Sequence, residues 1–308
     1  MKRSYHIYIF SMVCLLNSTS LHGAWRDYVP FSGKKGEVEI MQKEFAVKES
    51  PIITVKDTIG CVDVKTWQQN KVSLTATKRA PKVEMLSEIN MKVEKTADGL
   101  MITTSNPKDT KVSMDYTLLV PAQSHVNLVT QVGDIKVSGV TGRICTTTEK
   151  GNIEIGQAHD TVIAHANSLG SISIDQAKGN TKATCGKGNI TINDAYSSVI
   201  AFTQYGNIDV KNSCVPATSK INLETKSGLI AVKLPSQVNA NLKASANKGV
   251  VTSQHLITLK QRTTRLDNSS WKQLKAQVDG ILGSGEANIV LTTNKGNIKI
   301  LESKTRAA

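Results

Sequence analysis

The sequence is poor in what marks a nucleic-acid binder, a membrane protein or a familiar enzyme. Aromatic residues make up only 4% of the 308-residue chain: three Trp, six Tyr and four Phe. With so few rings to stack on bases, and with Lys and Arg dispersed, nucleic acid is a weak candidate ligand. No apolar run approaches the roughly 20 residues that cross a bilayer. There is no G-x-S-x-G elbow, P-loop, H-E-x-x-H or Gly-Gly-x-Gly-x-Asp calcium repeat, and no CxxC or Cys/His cluster of zinc-ligand spacing. No catalytic, cofactor-binding or metal-ligating residue is therefore assigned, and no cofactor is expected.

Acid is scarce as well. Twenty-five Asp and Glu stand against 38 Lys and Arg, a formal charge of +13, to which Lys2 and Arg3 contribute two. Such a surface attracts anionic polymers. For an exported chain these are teichoic acid, lipopolysaccharide, phospholipid headgroups or acidic glycans; the plainer alternative is a well-solvated surface.

Export is the expectation from the N-terminus. Lys2 and Arg3 precede an apolar stretch, Tyr5 to Leu16, broken only by His6 and Ser11. A polar segment from Asn17 to His22 then leads to Gly23-Ala24, small residues suited to signal peptidase. Residues 1–24 read as a signal peptide and 25–36 as a linker. Cys14 lacks the flanking residues of a lipoprotein site. The mature chain keeps Cys61, Cys145, Cys185 and Cys214, which allow three disulfide pairings. Cys145, Cys185 and Cys214 stand at unlike offsets in the repeat described next, which favours free thiols because a bridge needs Cα atoms within about 7 Å.

What the chain has in abundance is one short motif. A glycine, then Asn, Asp or Ser, then Ile-x-Ile/Val recurs at Gly133, Gly151, Gly170, Gly188, Gly206 and Gly296, with looser copies at Gly228 and Gly249. From Gly133 to Gly206 the spacing is 18 or 19 residues. A fixed period of this length marks a stacked coil in which each repeat buries its apolar face against its neighbours. Aligned on the glycine, the second following residue is Ile135, Ile153, Ile172, Ile190, Ile208, Ile230, Val251 or Ile298. The fourth is Val137, Ile155, Ile174, Ile192, Val210, Val232, Ser253 or Ile300. Seven before it stand Val126, Ile144, Ile163, Thr181, Val199, Ile221, Leu242 and Ile289, followed by small residues such as Ala183, Ala201, Thr203 and Thr225. Cys185 fills one of these small slots. The pattern predicts two strands per rung with three inward apolar columns, each buried Ile or Val contributing roughly 1.5–3 kcal/mol. Asn152, Asn189, Asn207 and Asn297 share the slot after the glycine and are placed to hydrogen-bond from turn to turn.

The expected fold is therefore all-β: a parallel β-solenoid, or β-helix, with about 18-residue rungs over 122–253. A β-rich section, 37–121, precedes it, with a short helical pattern at Lys82 to Asn90 and Pro121 closing it. A basic insertion or cap, 254–280, carries Lys260, Arg262, Arg265, Trp271, Lys272 and Lys275, with a short amphipathic helix expected from Ser269 to Val278. A final repeat, 281–301, and a tail, 302–308, follow.

Four stretches carry a family resemblance: Ile59-Gly60-Cys-Val-Asp-Val with Trp67 and Val72, Tyr116-Thr-Leu-Leu-Val-Pro121, the run from Val126 to Val137, and the run from Leu291 to Ile300. In this order, over roughly 44–300, the chain resembles the bacterial putative-adhesin family, exported proteins of otherwise unknown function with a β-helical repeat core. The resemblance implies a right-handed solenoid at the cell envelope and supplies no catalytic residue.

A carbohydrate-active enzyme on this scaffold would need converging carboxyl groups. Glu154 and Asp209 share an outward column but lie three rungs apart, about 14 Å, beyond the roughly 5–9.5 Å of glycosidase pairs. His159, Asp160 and His165 are the one close cluster with metal-ligand chemistry, read as surface residues. The resulting expectation is a non-enzymatic, adhesin-like envelope protein with a rigid basic surface, its partner an anionic envelope polymer, glycan, lipid headgroup or another envelope protein. The alternatives are an enzyme with an unmarked site or a structural protein stacking end to end.

Overall fold

A computed structural model describes residues 37–105, 111–260 and 276–303. The expected leader and linker, and Arg262, Arg265, Trp271, Lys272 and Lys275 of the basic insertion, lie outside the described residues. Each repeat forms two strands that meet at its glycine. In the Gly188 rung these are Thr181–Lys187 and Ile190–Ala195. Strands before the glycine build one sheet, here the leading sheet, and strands after it build the trailing sheet. Among the described residues ten rungs stack in parallel, nine of them with a glycine at the turn, and antiparallel strands at the ends bring the sheets to 13 and 12 strands. At ~4.8 Å per rung the stack runs roughly 43 Å.

The inward columns are continuous. Ile153, Ile172, Ile190, Ile208, Ile230 and Ile298 pair in register from rung to rung and are 1% exposed or less. One column differs from the sequence alignment. Val162, not Ile163, pairs with Ile144 and Thr181, and Ile163 faces outward. The register shifts between Ala166 and Leu169, so an extra residue there displaces the count from Gly170 by one. Period two then carries the displaced residue to the other face.

The turns are stitched as tightly as the strands. Gly206 has φ +153°, and a Cβ on it would sit 2.0 Å from the Gly188 carbonyl oxygen of the rung below. The same close approach holds at every motif glycine from Gly133 to Gly296, so only a residue without Cβ fits. The glycine carbonyls accept side-chain bonds: Thr148 to Gly133 (3.0 Å), Thr203 to Gly188 (3.1 Å), Thr225 to Gly206 (3.1 Å) and Thr293 to Gly228 (3.1 Å). Cys185 is buried in the same slot and its thiol donates to the Gly170 carbonyl at 2.9 Å. All four cysteines from Cys61 to Cys214 are free. The expected Asn contacts are present as side chain to backbone: Asn152, Asn189, Asn207 and Asn297 accept the N–H of Ser171, Asn207, Leu229 and Val250.

At both ends spatial order departs from chain order. The stack does not begin at 122. Ile52–Ile59 and Val62–Trp67 form a rung around Gly60, and Gly99–Ser105 with Ser113–Pro121 form another outside it. At the far end the last rung in sequence, Ala287–Lys295 and Ile298–Ser303, lies between the Gly228 and Gly249 rungs. Antiparallel strands close the stack: Lys71–Ala80, Glu37–Ala46 and Asn90–Thr96 at one end, Gln277–Leu282 and Thr258–Leu259 at the other. The predicted N-terminal helix is the single turn Val83–Leu86, which buries Leu86. Of the helix expected at Ser269–Val278, Ala276 is helical, whereas Gln277 and Val278 are in a strand that continues the leading sheet; residues 269–275 lie outside the described residues.

Asp57 breaks the threonine column. It pairs in register with Thr130 and is 5% exposed, yet neither carboxylate oxygen has a hydrogen bond. Burial pushes its pKa up to about 6, which the nearby Thr104 hydroxyl offsets only in part and the neighbouring Asp115 reinforces. The Thr104 hydroxyl is bonded to the buried Tyr116 hydroxyl instead. A threonine in this slot donates to the carbonyl of the next rung; an ionised aspartate cannot.

Candidate binding face

The outer surfaces of the two sheets handle charge differently. On the trailing sheet, acids and bases meet across rungs: Lys136 with Glu154 (2.8 Å), Lys211 with Asp194 (2.7 Å) and Lys233 with Asp209 (3.3 Å). Lys211 and Lys233 are in register, but each has its own aspartate. Partial burial works to raise the Asp194 pKa, yet bonds from Lys211 Nζ and Ser213 Oγ hold it below the usual carboxylate range. Glu154 and Asp209 are thus each engaged with a lysine, with Ser173 and Thr191 between them in the column.

The turn edge of the leading sheet has no such neutralisation. The residue before each motif glycine forms one in-register column: Val132, Lys150, Leu169, Lys187, Tyr205, Ser227, Lys295, Lys248. All its lysines are exposed, and among the described residues none makes an ion pair. Exposed Lys226 flanks the column. Lys295 and Lys248 sit side by side in register, a like-charge contact that is unfavourable without an anion. Glycine N–H groups hold the column's backbone: Gly170 donates to the Lys187 carbonyl at 3.0 Å, Gly188 to Tyr205 at 2.9 Å and Gly228 to Lys295 at 2.9 Å. The sequence already carries this column at the position before each glycine, but alignment for the buried columns passes over it.

A hollow on the leading sheet, about 570 Å³, is lined by Ile52, His125, Val126, Asn127, Arg143, Cys145 and Asp160. Its titratable groups do not act on one another. His125 Nδ1 accepts the Arg143 N–H at 3.0 Å, and Asp160 Oδ1 accepts the Thr161 N–H at 2.6 Å. No bond joins any two of the His125, Arg143, Cys145 and Asp160 side chains among the described residues. His159 and Asp160 lie exposed on the loop before Val162–Leu169, while His165 faces outward on that strand, its pKa lowered by burial and by Lys182. Among the described residues no three His, Cys, Asp or Glu converge as a metal set. No helix among them is long and apolar enough to cross a membrane.

Solved structures similar to the chain include two bacterial proteins. One is a "putative adhesin" from Bacteroides fragilis NCTC 9343, 16% identical over 86% of this chain and 97% of that one, with a TM-score of 0.47. The other is a "putative cell adhesion protein" from Clostridium sporogenes ATCC 15579, 14% identical over 87% of this chain and 100% of that one, with a TM-score of 0.26. No curated protein matches the chain. The stacked glycine rungs agree with the family comparison: the Toastrack DUF4097 model matches residues 38–301, and the chain belongs to that family.

Proposed function

We propose that this protein is a non-enzymatic, adhesin-like component of the cell envelope, exported through residues 1–24, that holds a rigid basic edge against an anionic envelope polymer. The observation that carries this reading is the turn column: Lys150, Lys187, Lys295 and Lys248 without ion pairs on a backbone fixed rung by rung. The +13 charge less the two of Lys2 and Arg3, +11 for the exported chain, acts in the same direction over longer range. Binding of the full chain to lipoteichoic acid and lipopolysaccharide, against neutral dextran, tests it at low and moderate salt. Salt-sensitive binding to an anionic polymer is expected, and none at either salt would remove the reading. Export is tested by sequencing the N-terminus of the secreted chain, expected to start at or near Ala24.

A further inference from the structure

Beyond net charge, the turn column has a pattern. Over five successive rungs it alternates: Val132, Lys150, Leu169, Lys187, Tyr205. The apolar members are unusually bare, Val132 43%, Leu169 59% and Tyr205 54% exposed. Inward columns repeat because packing demands it. An outward column needs no apolar side chains, so three bare ones in single file with lysines call for a surface to cover them.

The rung spacing sets a ruler. Adjacent column members are ~4.8 Å apart, and lysines on alternate rungs are therefore about 9.6 Å apart. Tyr205 presents an apolar ring with a polar tip, suited to a surface that is part carbon and part hydroxyl. The glycine N–H bonds fix these distances in advance, so little ordering is needed on binding.

After the glycines from Gly188 onward stand Asn189, Asn207, Leu229, Asn297 and Val250, none of them acidic. On the column's other side the leading sheet mixes Glu224 and half-buried Ile163 and Phe202 with exposed Lys56, Lys182 and Lys243, so it is the regular spacing along one file, not the basic face as a whole, that suits a chain. Near the early rungs Glu149 accepts from Asn167 Nδ2 (3.2 Å) and Asp134 accepts the Asn152 N–H (2.7 Å).

We infer that the Val132-to-Tyr205 stretch of the column is a track for a linear acidic polysaccharide whose sugars advance about one rung each, with acid on every second sugar. The lysines take the carboxylates, while Leu169 and Tyr205 take the sugar faces between them. This rests on the reading of the protein as a binder of anionic polymers and specifies the ligand's class and place.

Hyaluronan oligosaccharides (acid on alternate sugars), alginate oligosaccharides (acid on every sugar) and phosphatidylglycerol vesicles are the probes, with the full mature chain. Hyaluronan is expected to bind best. Replacing Lys150 and Lys187 together by Gln should weaken it by roughly tenfold or more, without lowering the thermal midpoint. Leu169→Lys with Tyr205→Lys should turn the preference toward alginate. Tyr205→Ala alone should weaken hyaluronan and leave the salt dependence unchanged. Hyaluronan binding that survives the change of Lys150 and Lys187 to Gln overturns the track while leaving a basic-surface binder in place. Vesicle binding without polysaccharide binding overturns it in favour of a membrane. Failure of every anionic probe, lipoteichoic acid and lipopolysaccharide included, removes both readings.

Discussion

The middle rungs and the two ends of this stack are built from similar strands but settled by different means. From Gly133 to Gly228, chain order is spatial order, and the rungs meet through recurring contacts: aliphatic on aliphatic, threonine or cysteine to glycine carbonyl except where Ala166 takes the slot, and an Asn, Asp or Ser side chain to backbone N–H. At the ends the repeat loses its hold. The Gly60 and Gly296 rungs are each overlapped by a neighbour that is not next in sequence, antiparallel strands finish the sheets, and Asp57 takes a threonine's place. A local repeat propagates a stack but does not say where it stops. The ends therefore need contacts that are long in sequence, which form more slowly than local ones.

The sharpest way to break the middle is to charge its interior. Ile190→Asp or Ile208→Asp places an unpaired carboxylate in a column with no exposure. Loss of the cooperative urea transition, followed by circular dichroism, is expected for both.

Next in size is the turn. Gly206→Ala must move the Gly188 carbonyl and adopt a strained φ, for which the backbone alone costs roughly 1–3 kcal/mol. Gly156→Ala is the internal control. Its φ is unstrained and its added Cβ would meet first the Ser138 hydroxyl, at 3.3 Å. Urea midpoints should fall markedly for Gly206→Ala and hardly move for Gly156→Ala.

At the N-terminal end the expected sign reverses. The folded state holds a proton on Asp57 up to about pH 6, whereas the unfolded chain releases it near its ordinary value of 3.8. Stability from this group is therefore highest below about pH 4, falls as pH rises through the window from 3.8 to about 6, and stays low above it. The charge of Asp115, which Arg79 holds at 2.8 Å, acts on Asp57; among the described residues, Tyr116, which faces inward, and Cys61 are the other titratable groups that interact with it. Asp57→Thr should stabilise the protein by on the order of 1–3 kcal/mol at pH 7. Its advantage over the parent should shrink as pH is lowered to 4 in matched urea titrations.

The smallest effect belongs to the outer trailing face. Asp209 and Lys233 are both well exposed, so Asp209→Ala should shift stability by less than about 0.5 kcal/mol. A change as large as that of Ile208→Asp would mean that inside and outside have been exchanged.

Much of the middle is legible in sequence because packing forces the same residue type onto each rung. Ile135, Ile153, Ile172, Ile190 and Ile208 announce a column simply by their distance from a glycine. Ile163 misleads because a local insertion before Gly170 changes strand parity without changing residue type. The threonine bonds to glycine carbonyls are visible only as a run of small residues, since sequence does not say which carbonyl lies overhead. The insertion of the Gly296 rung beside Gly228 is not legible at all, because each rung fits equally well against any neighbour. Lys150, Leu169, Lys187 and Tyr205 share one offset from their glycines, but their mixed chemistry hides the column from a search for like residues.

The order of the C-terminal rungs is the most direct test of register stacking with non-sequential ends. With Cys61, Cys145 and Cys214 replaced by Ser, Ser227→Cys is combined either with Lys295→Cys or with Lys248→Cys, and oxidative cross-linking is followed. Ser227 and Lys295 are in-register neighbours, whereas Lys248 lies on the far side of Lys295. Neighbouring rungs are ~4.8 Å apart and next-but-one rungs about 9.6 Å, and a disulfide spans up to about 7 Å between Cα atoms. The 227–295 pair should close readily and the 227–248 pair should not. Closure of 227–248 with 227–295 left open would show rungs stacked in chain order and contradict the account.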